Sequence, residues 1–436
     1  MGTPVLGRGC DQQLEGPTVK VRRIRRAAVL GASMVCASAL TACALASGAN
    51  TVNLYSAPEE NLQHNVDRCN AESGGRYQIV YHKLPRDADG QREQMVRRLA
   101  AGDSGMDILY LDVTWTGEFA EANWIREWTG ENKAEAERGT LQGPLETATW
   151  EGKLFAAPKN TNVQLLWYRK DLVPEPPKTW GEMISTAQRL KQEGKPHWIS
   201  LTGAQYEGLY VHFNTLVQSA GGHIITDDGK RAVVDDGAVQ ALRALRDLGT
   251  AGVTSAAMNN AKEDNARQEF ETGQSAFEMN WPFVYPSMLE NKPELAREVG
   301  WARMPGLRPG VPGKSTIGGA NLAVSSYSTK PDLAFEAAKC LRNPESQKFS
   351  AINDGVPPTI ESVYADPQVA AQYPMRETIL EALKDPGVRP VTPAAQNVST
   401  VLSNMLSPIA AIDPQRTAER MRTEVQNALD SKGVMP

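Results

Sequence analysis

The chain has little that points to catalysis. Its 436 residues include only five histidines, and each of them is isolated in sequence: His64, His82, His197, His212 and His223. It has no Gly-x-Ser-x-Gly elbow, Walker loop, His-Glu-x-x-His motif or paired-cysteine metal spacing. These absences exclude the common hydrolase, nucleotide-binding and zinc signatures, and we expect neither a cofactor nor a metal. A glycosidase carboxylate pair has no fixed spacing in sequence and stays open as an alternative.

Positive charge is also scarce. The chain carries 46 Lys and Arg against 51 Asp and Glu. Residues 1–43 hold six of the basic and two of the acidic side chains, so the rest has 40 basic and 49 acidic groups and a formal net charge of −9. An acidic chain without a basic stripe is not expected to bind nucleic acid or to adhere to anionic lipid through charge.

Long apolar runs are absent except near the start of the chain. There a basic run over 20–26 precedes an apolar segment over 27–42 that is too short to cross a bilayer. The segment ends in Leu40-Thr41-Ala42-Cys43, which is the pattern of a lipoprotein signal. We expect 1–42 to be a signal peptide, and 43–50 to be a lipid-bearing cysteine and tether at the outer face of the cytoplasmic membrane. The alternatives are an ordinary secretory signal, with the cysteine incidental, and a twin-arginine export route.

Cysteine is rare after this leader, because only Cys69 and Cys340 follow Cys43. In an oxidising compartment two such cysteines can pair, whereas two separately buried thiols are the alternative. We expect a disulfide between Cys69 and Cys340.

Regular alternation of strands and helices predicts an α/β protein. The first predicted elements are, in order, a strand at 51–56, a helix at 61–73, a strand at 77–84, a helix at 92–101 and a strand at 106–113. This order is typical of a parallel, doubly wound sheet, whose ligands gather at the carboxyl ends of the strands. Asp112 lies at such an end, where it can also cap the segment that follows.

The second half of the chain continues the alternation. Its predicted elements are a strand at 163–168, a helix from Thr179, helices at 209–221, 237–251 and 261–272, strands at 275–281 and 318–324, and mainly helices thereafter. About 390 residues beyond the leader are too many for one core. Two domains are therefore expected.

Tryptophan is frequent, with nine Trp against eight Phe. Indole stacks on the apolar faces of sugar rings, whose hydroxyl rims need planar polar partners such as Asp, Asn, Glu and Arg. We expect most of the tryptophans to be core residues. Trp281, at the end of a predicted strand and directly before Pro282, is the candidate for stacking on a sugar.

Three runs carry a resemblance to a known family: Ala157-Pro158-Lys159-Asn160-Thr161-Asn162, Leu166-Trp167-Tyr168-Arg169-Lys170-Asp171 and Pro177-Lys178-Thr179-Trp180. With 275–281 and the Gly318-Gly319 strand in matching order, they resemble the extracellular sugar-binding proteins of ABC importers. The resemblance implies two lobes, each a doubly wound α/β sheet flanked by helices, with the ligand in the interlobe cleft. It places the lobes at 50–160 plus 320–353 and at 161–319 plus 354–436.

The same resemblance implies the ligand contacts, by matching position. They are Glu59, Glu60, Asn61, Asp112, Asn162, Tyr206 or Glu207, Trp281, the backbone at Gly318 and Gly319, and Arg389. Each has a structural alternative. The two glutamates can favour a helix N-terminus, Asn162 can be a hinge amide, Arg389 can form an interlobe salt bridge, and the glycines can serve backbone shape.

Two departures from the maltose-binding members bear on the ligand. Those proteins carry a carboxylate where this chain has Asn162, and an aromatic residue near the position of Val391. Together with the lipoprotein signal, the sequence is most similar to the trehalose-binding lipoproteins of actinobacterial importers. We therefore expect a non-catalytic monomer that passes trehalose to two permease subunits with a cytoplasmic ATPase. The alternatives are another disaccharide, a glycerophosphodiester, or an exported carbohydrate-active enzyme.

Cys43→Ser tests the anchor. We expect the variant to lose acylation and to move from the membrane to the soluble exported fraction, because no other long apolar run follows. Its ligand affinity should equal that of wild type, since the tether is outside the predicted cleft. Membrane fractionation and lipid labelling measure the change. Tight membrane retention of the variant would reveal a different anchor, and several acyl chains are expected because one chain holds weakly.

Overall fold

The computed structural model describes residues 48, 50–226 and 228–432. The predicted signal peptide, Cys43 and most of the predicted tether lie outside these residues. Within the described ranges, none of the helices combines the length and the apolar character that a membrane crossing requires.

Strands make up two main sheets and one small hairpin. In the described residues the strands are β1 (Thr51–Ser56), β2 (Gln78–Lys83), β3 (Ile108–Asp112), β4 (Thr149–Trp150), β5 (Lys153–Leu154), β6 (Ala157–Val163), β7 (Leu165–Arg169), β8 (Trp198–Ser200), β9 (Ser275–Asn280), β10 (Val299–Ala302) and β11 (Ile317–Val324).

Helices cover the sheets and form most of the C-terminal part. In the same residues they are α1 (Leu62–Glu72), α2 (Ala88–Ala100), α3 (Thr116–Glu121), α4 (Gly130–Glu137), α5 (Gln142–Thr147), α6 (Trp180–Gln192), α7 (Glu207–Ser219), α8 (Asp236–Thr250), α9 (Glu263–Glu271), α10 (Val284–Asn291), α11 (Pro293–Glu298), α12 (Pro331–Leu341), α13 (Pro344–Asp354), α14 (Glu361–Tyr364), α15 (Pro367–Gln372), α16 (Arg376–Lys384), α17 (Ala395–Leu406) and α18 (Pro414–Leu429). Two short 3₁₀ helices are Met258–Asn260 and Ile409–Ala411.

The first sheet has five strands in the order β2-β1-β3-β11-β6. Its β1 pairs in parallel with β2 and with β3, so the predicted βαβαβ unit is present. The next strand, β11, runs antiparallel to both β3 and β6. The sheet is therefore mixed, because β11 alone runs opposite to the other four strands.

The second sheet has four strands in the order β10-β7-β9-β8. Here β7 is antiparallel to β10 and β9, while β8 is parallel to β9. All six residues of the central β9 are buried. The residue that follows this buried strand, Trp281, is therefore held in a fixed position.

The chain crosses from the first sheet to the second at Gln164. Residues 157–163 belong to β6 and residues 165–169 to β7, so the single strand predicted at 163–168 is wrong at its start. β6 was not predicted, because its sequence is largely polar, although six of its seven residues are buried. Burial there comes from neighbouring segments of the chain and not from apolar alternation.

Each sheet has its own apolar core. One core runs from Val52 to Leu341 around the first sheet, and a second extends from Leu166 to Ala428 around the second sheet. A third cluster packs Trp167 and its neighbours against the helices α14–α16. We call the parts around the first and second sheets the first and second lobes. The lobe limits at 160, 319 and 353 stay a prediction.

Side-chain caps explain where two helices begin. The helix predicted from Arg92 starts earlier, at Ala88, because the Asp87 carboxylate accepts a hydrogen bond from the Gly90 N–H at 3.0 Å. At α6, Thr179 Oγ1 accepts from the Glu182 N–H at 3.1 Å, and Glu182 accepts from the Lys178 N–H at 2.8 Å. This start agrees with the sequence prediction.

A disulfide joins Cys69 on α1 to Cys340 on α12, with 5.9 Å between their Cα atoms. The two cysteines are 271 residues apart, and the intervening chain includes much of the second lobe. The bond therefore fastens together the two separate stretches of chain that build the first lobe.

Cys69→Ala/Cys340→Ala measures the contribution of this bond. We expect the free energy of unfolding to fall by about 2–5 kcal/mol, because the unfolded chain regains the freedom of a long loop. Ligand affinity should not change. Urea unfolding of the double variant and of oxidised and reduced wild type makes the comparison. Two free thiols titrated in denatured, non-reduced wild type would contradict the pairing.

Candidate ligand-binding site

A cavity of about 180 Å³ lies between the two sheets. Its lining comes from both lobes, and it includes eight of the eleven predicted ligand contacts. The lining residues are Ala57, Arg86, Ala88, Gln91, Tyr110, Asp112, Asn160, Asn162, Tyr206, Glu207, Gly208, Val211, Glu263, Trp281, Gly318, Gly319 and Arg389.

Its floor is built where two crossing strands pair. Asn162 on β6 lies opposite Gly318 on β11, and Thr161 lies opposite Gly319. Gly319 has a φ of +120°, and a Cβ there would come within 2.3 Å of the Asn160 carbonyl oxygen. Glycine is therefore required at 319 for backbone shape, which is the structural role that the sequence analysis left open for it.

Gly318 is required for a different reason. A Cβ at this position would lie 2.9 Å from the indole carbon Cη2 of Trp281. The missing side chain lets the Trp281 ring lie directly against β11 at the cavity floor. The indole belongs to the second lobe and the strand to the first sheet, so this contact joins the two at the ligand site.

Arg389 connects acidic side chains of both lobes. Its guanidinium lies 3.1 Å from the Asp112 carboxylate at the end of β3 and also contacts the Glu207 carboxylate at the start of α7. The Ser399 hydroxyl donates a hydrogen bond to the other Glu207 oxygen. Arg389 is itself held close to the crossing strands, because the N–H of Ile317 bonds the Gly387 carbonyl at 2.8 Å. The interlobe salt bridge considered for Arg389 is thus present.

Burial sets the protonation of this cluster. Burial alone would lower the pKa of the Arg389 guanidinium, but the charges of Asp112 and Glu207 raise it above its ordinary value. Burial raises the pKa of the Glu207 carboxyl, and the Arg389 charge opposes that rise. Arg389 is therefore the cation that allows a buried carboxylate to be present beside the cavity.

Three lining residues each have a buried polar atom without a hydrogen-bond partner. The atoms are Oδ1 of Asn162, the hydroxyl of Tyr206 and Nε of Arg389. A buried polar group without a partner costs about 1–3 kcal/mol. A ligand that carries hydroxyl groups can satisfy such atoms, because a hydroxyl both donates and accepts.

Three predicted contacts lie outside the lining. Glu59 is partly buried against the buried Lys159, with Nζ–Oε distances of 2.6 and 2.8 Å. Asn61 donates from both its backbone N–H and its side chain to Asp354, at 3.1 and 2.8 Å, and Glu60 is exposed to solvent. Their contact with a ligand stays a prediction.

Several lining residues were not predicted from the sequence. Arg86, Ala88 and Gln91 come from the start of α2, Tyr110 from β3, and Glu263 from the start of α9. The only available signal was the helix start at Asp87, which an acidic cap before a helical pattern indicates. Glu263 gave no signal. Its helix was predicted to begin two residues earlier, and a glutamate in the first turn of a helix is commonly an exposed residue.

Comparison with known proteins identifies the family. The sequence profile of the bacterial extracellular solute-binding proteins matches residues 78–348. The chain belongs to this family. A probable ABC transporter-binding protein of Deinococcus radiodurans is 28% identical over 410 residues, which cover 90% of this chain and 94% of that protein.

Solved structures of solute-binding proteins share the two-lobed fold. Maltose-bound MalE3 of T. maritima superposes with a TM-score of 0.79 at 27% identity, over 88% of this chain and 100% of that one. The GacH receptor of Streptomyces glaucescens, solved unliganded and with acarbose, superposes with a TM-score of 0.76 at 20% identity, over 88% of this chain and 99% of that one. The predicted α/β fold with two lobes is confirmed.

Opposite charges face each other at the rim of this solute-binding protein's cavity. Arg86 of the first lobe lies 3.0 Å from Asp264 of the second, and Asp87 lies 3.4 Å from Lys262. Both pairs are partly exposed, and such pairs contribute only about 0–1 kcal/mol each. These two pairs therefore contribute little to the free energy that holds the lobes together.

Arg389→Met tests the buried cluster. We expect the free energy of unfolding of the ligand-free protein to fall by about 3–5 kcal/mol, because Glu207 is left as an uncompensated buried carboxylate. The loss should be largest at neutral pH and smaller in acid. Without Arg389 the folded-state pKa of Glu207 rises further above its unfolded value, so folding is favoured where Glu207 is protonated.

The matched control is Arg389→Met/Glu207→Leu. Removing the stranded carboxylate should recover part of the lost stability but none of the ligand affinity. Urea unfolding at two pH values and ligand titration give both quantities. Equal stability of wild type and Arg389→Met would contradict the role of the cluster.

Proposed function

We propose that this protein is a membrane-anchored receptor that captures trehalose and delivers it to the permease of an ABC importer. Lipid on Cys43 holds it at the outer face of the cytoplasmic membrane. Two permease subunits driven by a cytoplasmic ATPase then receive the sugar. The proposal joins the family membership to the sequence's similarity to LpqY, the trehalose-binding lipoprotein of such an importer.

The main observation in favour of a sugar ligand is the set of side chains that line the cavity. One indole, Trp281, lies among Asp112, Asn162 and other polar side chains. An apolar ring face next to hydrogen-bonding groups matches the two kinds of surface of a pyranose. A volume of about 180 Å³ lies below the range of about 300–1,000 Å³ typical of ligand pockets. These features favour a compact sugar over a long oligosaccharide.

Residues of both lobes meet at this cavity, which gives closure a driving force. Asp112 belongs to the first lobe, whereas Trp281 and Glu207 belong to the second. A ligand that bonds to both sides binds the closed state more tightly than the open one. It therefore shifts the population toward closure.

The charges of the cavity do not favour a glycerophosphodiester. The two arginines of the lining already have carboxylate partners, Arg389 with Asp112 and Glu207, and Arg86 with Asp264. A phosphate would have to compete for these cations. Trehalose is neutral and has no reducing end, so it needs hydroxyl partners and not a free positive charge.

Trehalose titration of wild type, Trp281→Ala and Asp112→Ala tests the assignment. Loss of the indole should weaken binding by about 2 kcal/mol, as expected for a buried aromatic anchor. Loss of the Asp112 carboxylate should cost about 1.5–3 kcal/mol through its charged hydrogen bonds. Isothermal titration calorimetry measures each affinity, and maltose serves as the competing sugar.

Trp198→Ala is the matched control, because Trp198 is a half-buried tryptophan of the second sheet that does not line the cavity. It should bind trehalose as wild type does. Tighter binding of maltose than of trehalose by wild type would end the trehalose assignment. Unchanged affinity in both site variants would mean that the site lies elsewhere, and release of glucose from trehalose would favour the enzymatic alternative.

A further inference from the structure

Glu278 is a fully buried carboxyl group in the central strand β9 of the second sheet. It does not line the cavity. Its Oε1 accepts a hydrogen bond from the Asn280 side-chain amide at 2.7 Å, and its Oε2 has no partner. A carboxyl group at such a position needs a reason, because an isolated buried charge is costly.

Asn280, also fully buried, extends this contact to the ligand site. Its amide nitrogen donates to the Glu263 backbone carbonyl at 3.0 Å as well as to Glu278, and its Oδ1 accepts from the backbone N–H of Trp281 at 2.9 Å. Trp167 Nε1 donates to the Asn280 backbone carbonyl at 3.1 Å. One amide side chain thus ties Trp281 to the first residue of α9, and both of these residues line the cavity.

We propose that Glu278 and Asn280 are positioning residues, which set the Trp281 indole and the Glu263 end of α9 in place for the sugar without touching it. Glu278 helps to set which way the Asn280 amide points. If the amide were reversed, its NH₂ group would face the backbone N–H of Trp281, so two donors would oppose each other. Its oxygen would face the Glu263 carbonyl, so two acceptors would also oppose each other. Glu278 Oε1, which accepts from the amide, adds to the preference for the observed orientation that the Trp281 backbone N–H and the Glu263 carbonyl already set. This proposal rests on the proposed function for the identity of the ligand.

The surroundings of Glu278 suit a neutral acid. Burial raises the pKa of Glu278 to about 8, although the Asn280 hydrogen bond opposes that rise. Of the charged groups of α9 that act on it, Glu271 and Glu269 raise its pKa further, and Arg267 lowers it. Arg267 is itself occupied by Glu271 at 2.8 Å. Glu278 is therefore largely protonated at neutral pH, so glutamine reproduces both its shape and its charge.

Glu278→Gln and Glu278→Leu distinguish the role of Glu278 as a hydrogen-bond acceptor from its role in filling volume. Glutamine keeps an oxygen for the Asn280 amide, and leucine does not. We expect Glu278→Gln to bind trehalose within about twofold of wild type and Glu278→Leu to bind about tenfold more weakly, which is about 1.4 kcal/mol. Asn280→Ala removes the amide itself and should weaken binding at least as much. It also keeps the test decisive if Glu278→Leu does not fold.

Asn65→Ala is the matched control. Asn65 is an equally buried amide of the first lobe, bonded to Ser350 Oγ at 3.2 Å and remote from the cavity lining. Its loss should lower the melting temperature and leave affinity unchanged. A purely structural role for Glu278 and Asn280 would give the same result.

A second readout needs no ligand. The indole N–H resonance of Trp281 can be assigned among the nine tryptophans by its loss in Trp281→Phe. In ligand-free protein it should shift in Glu278→Leu and Asn280→Ala but not in Glu278→Gln or Asn65→Ala. If wild type binds none of the sugars tested, the proposed function fails and this resonance alone decides the positioning role. Folded Glu278→Leu and Asn280→Ala with wild-type affinity and an unshifted resonance would overturn the proposal, as would a Glu278→Gln as weak as the leucine variant.

Discussion

Pairing of β6 with β11 is the contact on which the ligand site depends. β6 leads from the first sheet to the second lobe, and β11 returns from the second lobe to the first sheet. The two strands meet where Asn162 faces Gly318. A third segment lies beside them, because the Thr161 N–H bonds the Pro357 carbonyl at 3.1 Å. Three passages of the chain are therefore held together by backbone hydrogen bonds at one place. Any relative movement of the lobes has to be absorbed there, and a ligand in the cavity rests directly on it.

Above these paired strands, charged side chains and an aromatic ring make different contributions to the ligand site. Arg389 satisfies carboxylates from both lobes, so the acidic groups of the cavity are oriented before a ligand arrives. Trp281 supplies a flat apolar surface, and the absence of a side chain at Gly318 lets it approach the strand. A sugar then gains hydrogen bonds from groups that are already placed. This arrangement reduces the entropy lost when the complex forms.

Sequence patterns predicted the parts of the fold that follow from local periodicity. The strands at 51–56 and 108–112 and the helices between them are such parts, because each side of a βαβ unit reads directly as alternating or helical apolar spacing. Asp112 and Trp281 were predicted from their places at strand ends and Arg389 from the family resemblance, and the structure brings the three to one cavity. The antiparallel return of β11 and the buried polar strand β6 could not be read locally, since their environment is made by distant segments. Glu59 shows the same limit, because its Lys159 partner is 100 residues away and local sequence does not reveal that the two side chains form an ion pair.

The disulfide between α1 and α12 imposes an order on the making of this protein. Cys69 lies early in the chain, while Cys340 lies 271 residues later. In a chain exported from its N-terminus, the first of these cysteines reaches the oxidising side long before its partner. The first lobe can be closed covalently only after the segment that builds β7 to β10 has also crossed the membrane. In a chain exported unfolded from its N-terminus, formation of this disulfide in the first lobe thus waits for translocation of the second lobe.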